Sequence, residues 1–292
     1  MKSQMEYYSF NRYLRNRFGC KVYKISINGG FTCPNRDGTC GTRGCIFCSA
    51  GGSGDFAEDP RLSVTQQIEK GKLRVQNKIK SGKYIAYFQA FTNTYAPMEV
   101  LRKKFTEAIE HPDIVMLSVA TRPDCLPDDV IDLLAQLNTI KPVSVELGLQ
   151  TIHQKSADYI RRGYDLSCFD NAVCRLKEAG LEVVCHIILG LPGESKSDML
   201  QSVDYACKSG INGIKLQLLH VLKNTDLEKE YRAGKFKTLT FEEYLDIIKS
   251  CVKIIPKEIV IHRLTGDGAK KDLIAPLWSA DKKKVLNAIS KL

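Results

Sequence analysis

Apolar, β-branched runs recur along this chain roughly every 30 to 40 residues, and that rhythm limits the possible folds more than any other feature. Runs that read as strands lie near Lys21–Ile27, Tyr84–Gln89, Ile114–Val119, Val143–Leu149, Glu182–Leu189 and Gly213–Leu219. Between them lie stretches whose apolar residues recur at three- and four-residue spacing, as in Ser63–Lys80, Met98–His111, Pro127–Leu137, Cys168–Glu178 and Lys196–Lys208. A strand, a helix and a second strand in that span make a parallel crossover unit. The expected fold is α/β, a partial (β/α)6 barrel of parallel strands, since six units are too few for a full eight-stranded barrel. The rhythm breaks near His220. The tail offers a helix from Thr240 to Ile254, a short strand in "IVIHRL" and a final helix from about Asp281. No Pro- or Ser-rich linker sets this tail apart. One domain is expected over 1–292, with a core over about 13–220 and a C-terminal α/β extension over about 221–292.

Composition narrows the setting. Hydrophobic residues make up 43% and charged residues 26% of 292, as in an ordinary soluble protein. The start, "MKSQMEYYSFNRYLRNRF", has no apolar core of a secretory signal, and no apolar run nears the roughly 18 residues of a membrane span. A cytoplasmic location is expected. There the eleven cysteines stay reduced, and most of them (Cys125, Cys168, Cys174, Cys185, Cys207, Cys251) read as small buried hydrophobes. The net charge of +10 favours a polyanionic partner, most simply nucleic acid. Its basic clusters are Lys70–Lys83, "RLKEAG", "GAKK" and "DKKKVLNAISKL". Any single cluster reads equally as a solvated helix face.

Four cysteines, Cys33, Cys40, Cys45 and Cys48, fall in the loop after the first expected strand. A zinc site usually uses two close pairs, and only Cys45 and Cys48 have that spacing. The spacing leans toward an iron–sulfur cluster while leaving zinc open, because zinc loops tolerate irregular spacing. In parallel β/α folds, ligands bind beyond the carboxyl ends of the strands. That face gathers the cysteines with Asn93, Arg122, Gln150, His186 and Lys223.

The motifs "CPNRDGT…GCIFC" and "ATRPD…ELGLQT…RRGYD…ILGLPGE…GIKLQLLH" resemble the radical S-adenosylmethionine (SAM) enzymes. Within them the chain is most similar to short bacterial relatives of the Elongator catalytic subunit that lack its acetyltransferase domain. The likeness runs from about Tyr13 to Trp278. It implies that Cys33, Cys45 and Cys48 hold a 4Fe–4S cluster, that Cys40 stands aside, and that SAM chelates the open iron and yields a 5′-deoxyadenosyl radical. Phe47 would pack near adenine. Gln89, Thr92 and Asn93 lie where relatives bind the methionine amine, although Gln89-Ala90 replaces the glycines of that turn. Gln150 stands where relatives contact the ribose, and Arg162 where they bind the SAM carboxylate. Two departures stand out. Ala120 replaces an acidic residue before "TRPD", and His186 stands where distant relatives place an aspartate, which makes it a further candidate for cofactor or substrate contact. The implied reaction converts the 5-carboxymethylaminomethyl group of tRNA wobble uridine to aminomethyl. The substrate carboxylate would need a cation, with Arg122, Lys215, His262 and Arg263 as candidates. An electron donor such as flavodoxin or ferredoxin is implied as well. Two alternatives remain at this stage: a radical SAM enzyme acting on a small metabolite, and a non-catalytic iron–sulfur or zinc protein that senses redox state or scaffolds a complex.

Overall fold

In a computed structural model, residues 7–54, 56–78, 82–266 and 268–292 are described. Six strands fall where the rhythm places them: β1 (Tyr23–Ile27), β2 (Tyr84–Phe88), β3 (Ile114–Thr121), β4 (Val143–Gln150), β5 (Glu182–Leu189) and β6 (Gly213–Leu218). They pair in parallel, each with its sequence neighbour. The sheet curls into a half-barrel. The strands alternate between the helix-covered core and the barrel interior, most plainly β4 and β5. In β4, Val143, Val145, Leu147 and Leu149 join the core under the helices, while Ser144, Glu146, Gly148 and Gln150 turn inward.

The outer layer follows the apolar spacing. It begins with α1 (Phe10–Phe18), α2 (Val64–Val75), α3 (Met98–Glu110) and α4 (Asp128–Asn138). It continues with the short α5 (Gln154–Tyr159), then α6 (Leu166–Glu178) and α7 (Lys196–Lys208). α2 and α7 begin with capping boxes, Ser63 with Gln66 and Ser195 with Asp198, which satisfy first-turn N–H groups. The helix expected over Ser63–Lys80 thus ends at Val75; its last expected positions, 79 and 80, lie outside the described residues, as does part of the basic run Lys70–Lys83.

The tail is more closely joined to the barrel than the sequence suggests. After β6 come β7 (Val221–Leu222), α8 (Asp226–Arg232) and α9 (Phe241–Ile254). The expected short strand is β8 (Val260–Arg263), and it pairs in parallel with β6 as a seventh strand of the main sheet. α9 buries Tyr244, Ile247, Ile248 and Cys251 in the main core, so it acts as one more crossover helix between β6 and β8. β9 (Leu273–Ala275) pairs antiparallel with β7, and α10 (Lys282–Ile289) packs on α9.

α1 closes the end of the half-barrel where strands begin. Its Leu14 packs with Val22, Ile85 and Met116, and the Tyr13 hydroxyl donates to Glu182 at 2.8 Å. The opposite end, where strands finish, is left open for the cysteine loop.

Candidate active site

The cysteine loop is pinned by backbone and side-chain bonds. The N–H of Arg36 donates to the Cys33 carbonyl at 2.8 Å, and that of Gly44 to the Asn35 carbonyl at 2.7 Å. Buried Asn35 donates to the Arg161 carbonyl at 2.7 Å and to the Cys45 Sγ at 3.5 Å. Arg36 donates to the Ser49 carbonyl at 2.6 Å. These bonds bring Cys33, Cys45 and Cys48 to one cavity of about 190 Å³, while Cys40 is exposed and faces a different one.

Three features bear on what the thiols could hold. Burial pushes the Cys45 thiol up to about 12, and the nearby Cys48 and Cys33 push in the same direction. A metal centre would reverse that balance by stabilising all three thiolates. Among the described residues, the one set of three His, Cys, Asp or Glu whose ligand atoms all lie within 4.8 Å of each other is Glu69, His111 and Asp113. Three cysteines on one cavity, with the fourth facing another, suit a cluster held by three thiolates.

The residues expected around SAM line the same cavity, with one exception. Phe47, Gln89, Thr92, Gln150 and Arg162 all face it. Gln89 is held by Ser26 at 3.0 Å and by the Ser53 carbonyl at 2.7 Å. Gln150 sits at φ 68°, a costly backbone conformation for a non-glycine residue, and its buried Oε1 has no hydrogen-bond partner. Arg162 is no exposed helix-end arginine. It is buried and donates to the carbonyls of Thr151 (2.7 Å), Tyr164 (3.0 Å) and Leu149 (3.3 Å), while its Nη2 lacks a partner. An orphaned acceptor and an orphaned guanidinium nitrogen on one cavity fit the hydroxyls and carboxylate of a nucleoside–amino acid cofactor. Asn93 is the exception. It lies behind the wall, donating to the Ala120 carbonyl at 2.8 Å.

The four candidate cations separate. Lys215 and Arg263 face the cavity. Arg122 also lines it, but its fork is taken by Asp124 at 2.9 and 2.7 Å and by the Arg162 carbonyl at 3.1 Å. Its charge is felt by the Cys45 thiol, so it belongs beside the cysteines. His262 does not reach the cavity: its ring stacks on Phe10 with centroids 4.0 Å apart and faces a smaller void beneath Lys215. A stacked, buried imidazole, whose pKa burial holds well below its usual value, supplies no cation there.

The most buried charge in the site is one the sequence reading passed over. Glu146 is fully buried at the floor. Its Oε1 accepts from Lys24 Nζ (2.5 Å) and Ser118 Oγ (2.9 Å); its Oε2 accepts from His186 Nε2 (2.8 Å) and Lys215 Nζ. The lysines beside it hold its carboxyl well below the usual range. His186 has Gln217 on its other nitrogen at 3.1 Å. Burial, with Lys215 adding to it, lowers His186 to about 4, so it is neutral at physiological pH. The alternation in "VSVELGLQ" places Glu146 on the face of Gln150, and that signal could have found it.

A model of the Radical SAM superfamily matches residues 36–206, and one of the Radical_SAM C-terminal domain matches residues 211–292. The chain belongs to the radical SAM superfamily, whose members bind a 4Fe–4S cluster and SAM. It is 47% identical over 289 residues to the protein YtqA of Bacillus subtilis (strain 168), covering 99% of this chain and 90% of that one. It is 29% identical over 168 residues to a tRNA uridine(34) acetyltransferase of Methanocaldococcus jannaschii, covering 56% of this chain and 30% of that protein. The structure of archaeal Methanocaldococcus infernus Elp3 with an N-terminal deletion shares the fold, with a TM-score of 0.66 at 19% identity. The match covers 92% of this chain and 63% of that one. Among the described residues, no helix is long and apolar enough to cross a membrane.

Proposed function

We propose that this chain is a radical SAM enzyme that converts the 5-carboxymethylaminomethyl group of tRNA wobble uridine to aminomethyl, with a flavodoxin or ferredoxin as electron donor. The observation that carries the reading is a single inward-facing cavity with three cysteines at its mouth and cationic side chains around Glu146 at its floor. The likeness to a tRNA uridine(34) acetyltransferase, which covers part of the chain, and the charge of +10 support an RNA substrate.

Cys33, Cys45 and Cys48 would hold the cluster, with Asn35 donating to the Cys45 sulfur. When bound, the cluster and SAM supply a carbon-centred radical that abstracts a hydrogen atom. Arg162 would hold the SAM carboxylate, Gln150 its ribose, and Phe47 its adenine. Lys215 and Arg263 would face the substrate carboxylate, so that the carbon next to it meets the radical. Loss of the hydrogen atom and of one further electron, returned to the electron-donor couple, would leave an imine at that carbon, and its hydrolysis would release the two carbons as glyoxylate and leave the aminomethyl group.

The test is mass spectrometry of tRNA nucleosides from a deletion strain, followed by conversion with the anaerobically reconstituted enzyme. The deletion should accumulate carboxymethylaminomethyl uridine, and purified enzyme should convert it with formation of 5′-deoxyadenosine. Alanine at Cys33, Cys45 or Cys48 should abolish cluster absorbance and SAM cleavage, whereas Cys40→Ala should keep both. Unchanged wobble nucleosides in the deletion strain, with 5′-deoxyadenosine still formed in vitro, would transfer the reading to a small metabolite.

A further inference from the structure

We infer that the cavity floor is a carboxylate subsite that selects substrate from product by charge, with Lys215 as the lysine that faces the cavity and Glu146, which also holds Lys24 from behind, as the residue that positions it. The identity of that product rests on the tRNA reading above; the charge selection does not.

The distribution of charge along the cavity points to the floor. Among the described residues that line it, Glu146 is the one carboxylate, facing Arg36, Arg122, Arg162, Lys215 and Arg263. At the mouth, Arg36 and Arg122 sit beside three cysteines that become thiolates when they ligate. Arg162 has its orphaned nitrogen for the cofactor carboxylate. That leaves Lys215 and Arg263 at the floor, with Lys24 immediately behind on the same Glu146. His186 adds no charge, because one ring nitrogen donates to Glu146 and the other accepts from Gln217.

One carboxylate is therefore shared between two ammonium groups, that of buried Lys215 and that of half-buried Lys24. Its two oxygens already accept four donors, so it has no capacity left for a third cation. Lys215 is 3% exposed and commits two of its three N–H bonds, to Glu146 and to the Tyr87 hydroxyl at 3.1 Å. Burial pulls both lysines down in pKa, and Glu146 pushes them back up. With one carboxylate between two lysines, a second anion entering from the cavity adds to the charge balance of the floor. A substrate ending in a carboxylate supplies that anion. A product ending in a primary ammonium adds a like charge and is expelled. Tyr87 lies under both lysines, 4.4 and 4.6 Å from its ring centroid, and fixes their spacing.

The experiment compares tRNA carrying carboxymethylaminomethyl, aminomethyl or no group at carbon 5, using holoenzyme reconstituted with cluster and SAM. Wild type should bind the carboxylate form about 10- to 100-fold more tightly than the other two, the range for one charge-assisted hydrogen bond. Lys215→Met should erase that preference, so that the three tRNAs bind alike; cluster absorbance checks that the variant is folded. Lys215→Arg should restore the preference in part. Glu146→Asp keeps the charge but moves the lysines by one methylene, so kcat per loaded cluster should fall more than KM rises. A merely structural role would lower cluster content and leave kcat per cluster unchanged. Equal affinity of wild type for all three tRNAs, or an undiminished preference in Lys215→Met, overturns the subsite. A separate arm uses small probes: N-methylglycine, but not N-methylglycinamide, should alter uncoupled 5′-deoxyadenosine formation in wild type and not in Lys215→Met. That result without any tRNA turnover upholds the subsite and rejects the tRNA reading. Normal tRNA turnover with both probes equivalent and no tRNA preference does the reverse.

Discussion

Arg162 has a structural role and a proposed role at the cofactor, and the two can be separated by measurement. Three of its hydrogen bonds go to the carbonyls of Leu149, Thr151 and Tyr164, which shape the end of β4 and the turn after α5. Arg162→Ala leaves buried carbonyls without donors, each costing about 1–3 kcal/mol. We expect the variant to lose several degrees in Tm and also to bind SAM more weakly by about 1.5–3 kcal/mol, the range for a hydrogen bond to a charged group. A lowered Tm with SAM affinity unchanged in calorimetry would assign Arg162 to the scaffold alone. His186 makes a pH prediction. Its folded value of about 4 lies below the ordinary 6.5, so between those values the unfolded chain takes up a proton that the folded site refuses. Stability therefore falls as pH drops through that window, by about 2 kcal/mol between pH 7 and pH 5. Denaturant unfolding of His186→Gln should show that much less loss over the same range. An identical pH slope in the two proteins would mean that His186 is not held neutral.

At the scale of elements, β1 to β6 and most of the helices outside them were legible because two periods, near 2 and 3.6, are carried by core residues in contiguous sequence. β8 was read as a strand but not as part of the main sheet. Nothing local in "IVIHRL" says which strand it pairs with; α9 decides that by returning the chain along β6. α1 was missed because its sequence is aromatic and basic with one buried leucine. The cysteine loop was legible from its residue types. Glu146 and Lys24 were not, because a charged residue inside a strand reads as exposed until an inward-curling sheet gives it partners. The same topology places Arg122 beside the cysteines and His262 beneath the floor. α1 supplies the prediction at this scale. Leu14 is 3% exposed in the small core with Val22, Ile85 and Met116. Leu14→Ala should cost about 2–4 kcal/mol in denaturant unfolding, through lost burial and an unfilled cavity. Val64→Ala on α2, in the outer core, should destabilise without touching the floor, whereas Leu14→Ala should also weaken carboxylate selection. Selection left intact in Leu14→Ala would show that the floor is rigid without α1.

The molecule as a whole carries +10, and the structure shows where that charge meets the cavity. Lys223, Lys270 and Lys271 are exposed around the paired strands β7 and β9, and Lys223 donates to the Lys271 carbonyl at 2.7 Å. Those strands flank a second void, lined by Phe47, Gln217 and Leu222, that adjoins the main cavity. Lys282, Lys283 and Lys284 are exposed at the start of α10, with Lys284 5.5 Å from the Phe241 ring centroid. Trp278, packed on Phe241, donates to the Leu239 carbonyl, and Leu239 lies against Gly190 just after β5. Both lysine groups thus belong to the open end of the half-barrel. If tRNA enters there, its phosphates release counterions on binding, and affinity should fall roughly a hundredfold or more between 50 and 200 mM salt if several phosphates are neutralised. Reversing Lys270 and Lys271 should weaken tRNA binding and flatten the logarithmic salt slope by about 0.7–0.9 for each phosphate that the lysines no longer neutralise. Reversing Lys282, Lys283 and Lys284 should act in the same direction and less strongly, since that group lies farther along the chain's outer layer. Uncoupled SAM cleavage should survive both changes, because none of these lysines lines the cofactor cavity. A salt-independent affinity, or equal turnover of a free nucleoside and whole tRNA, would show that the basic rim is a solvated surface and that recognition ends at the cavity.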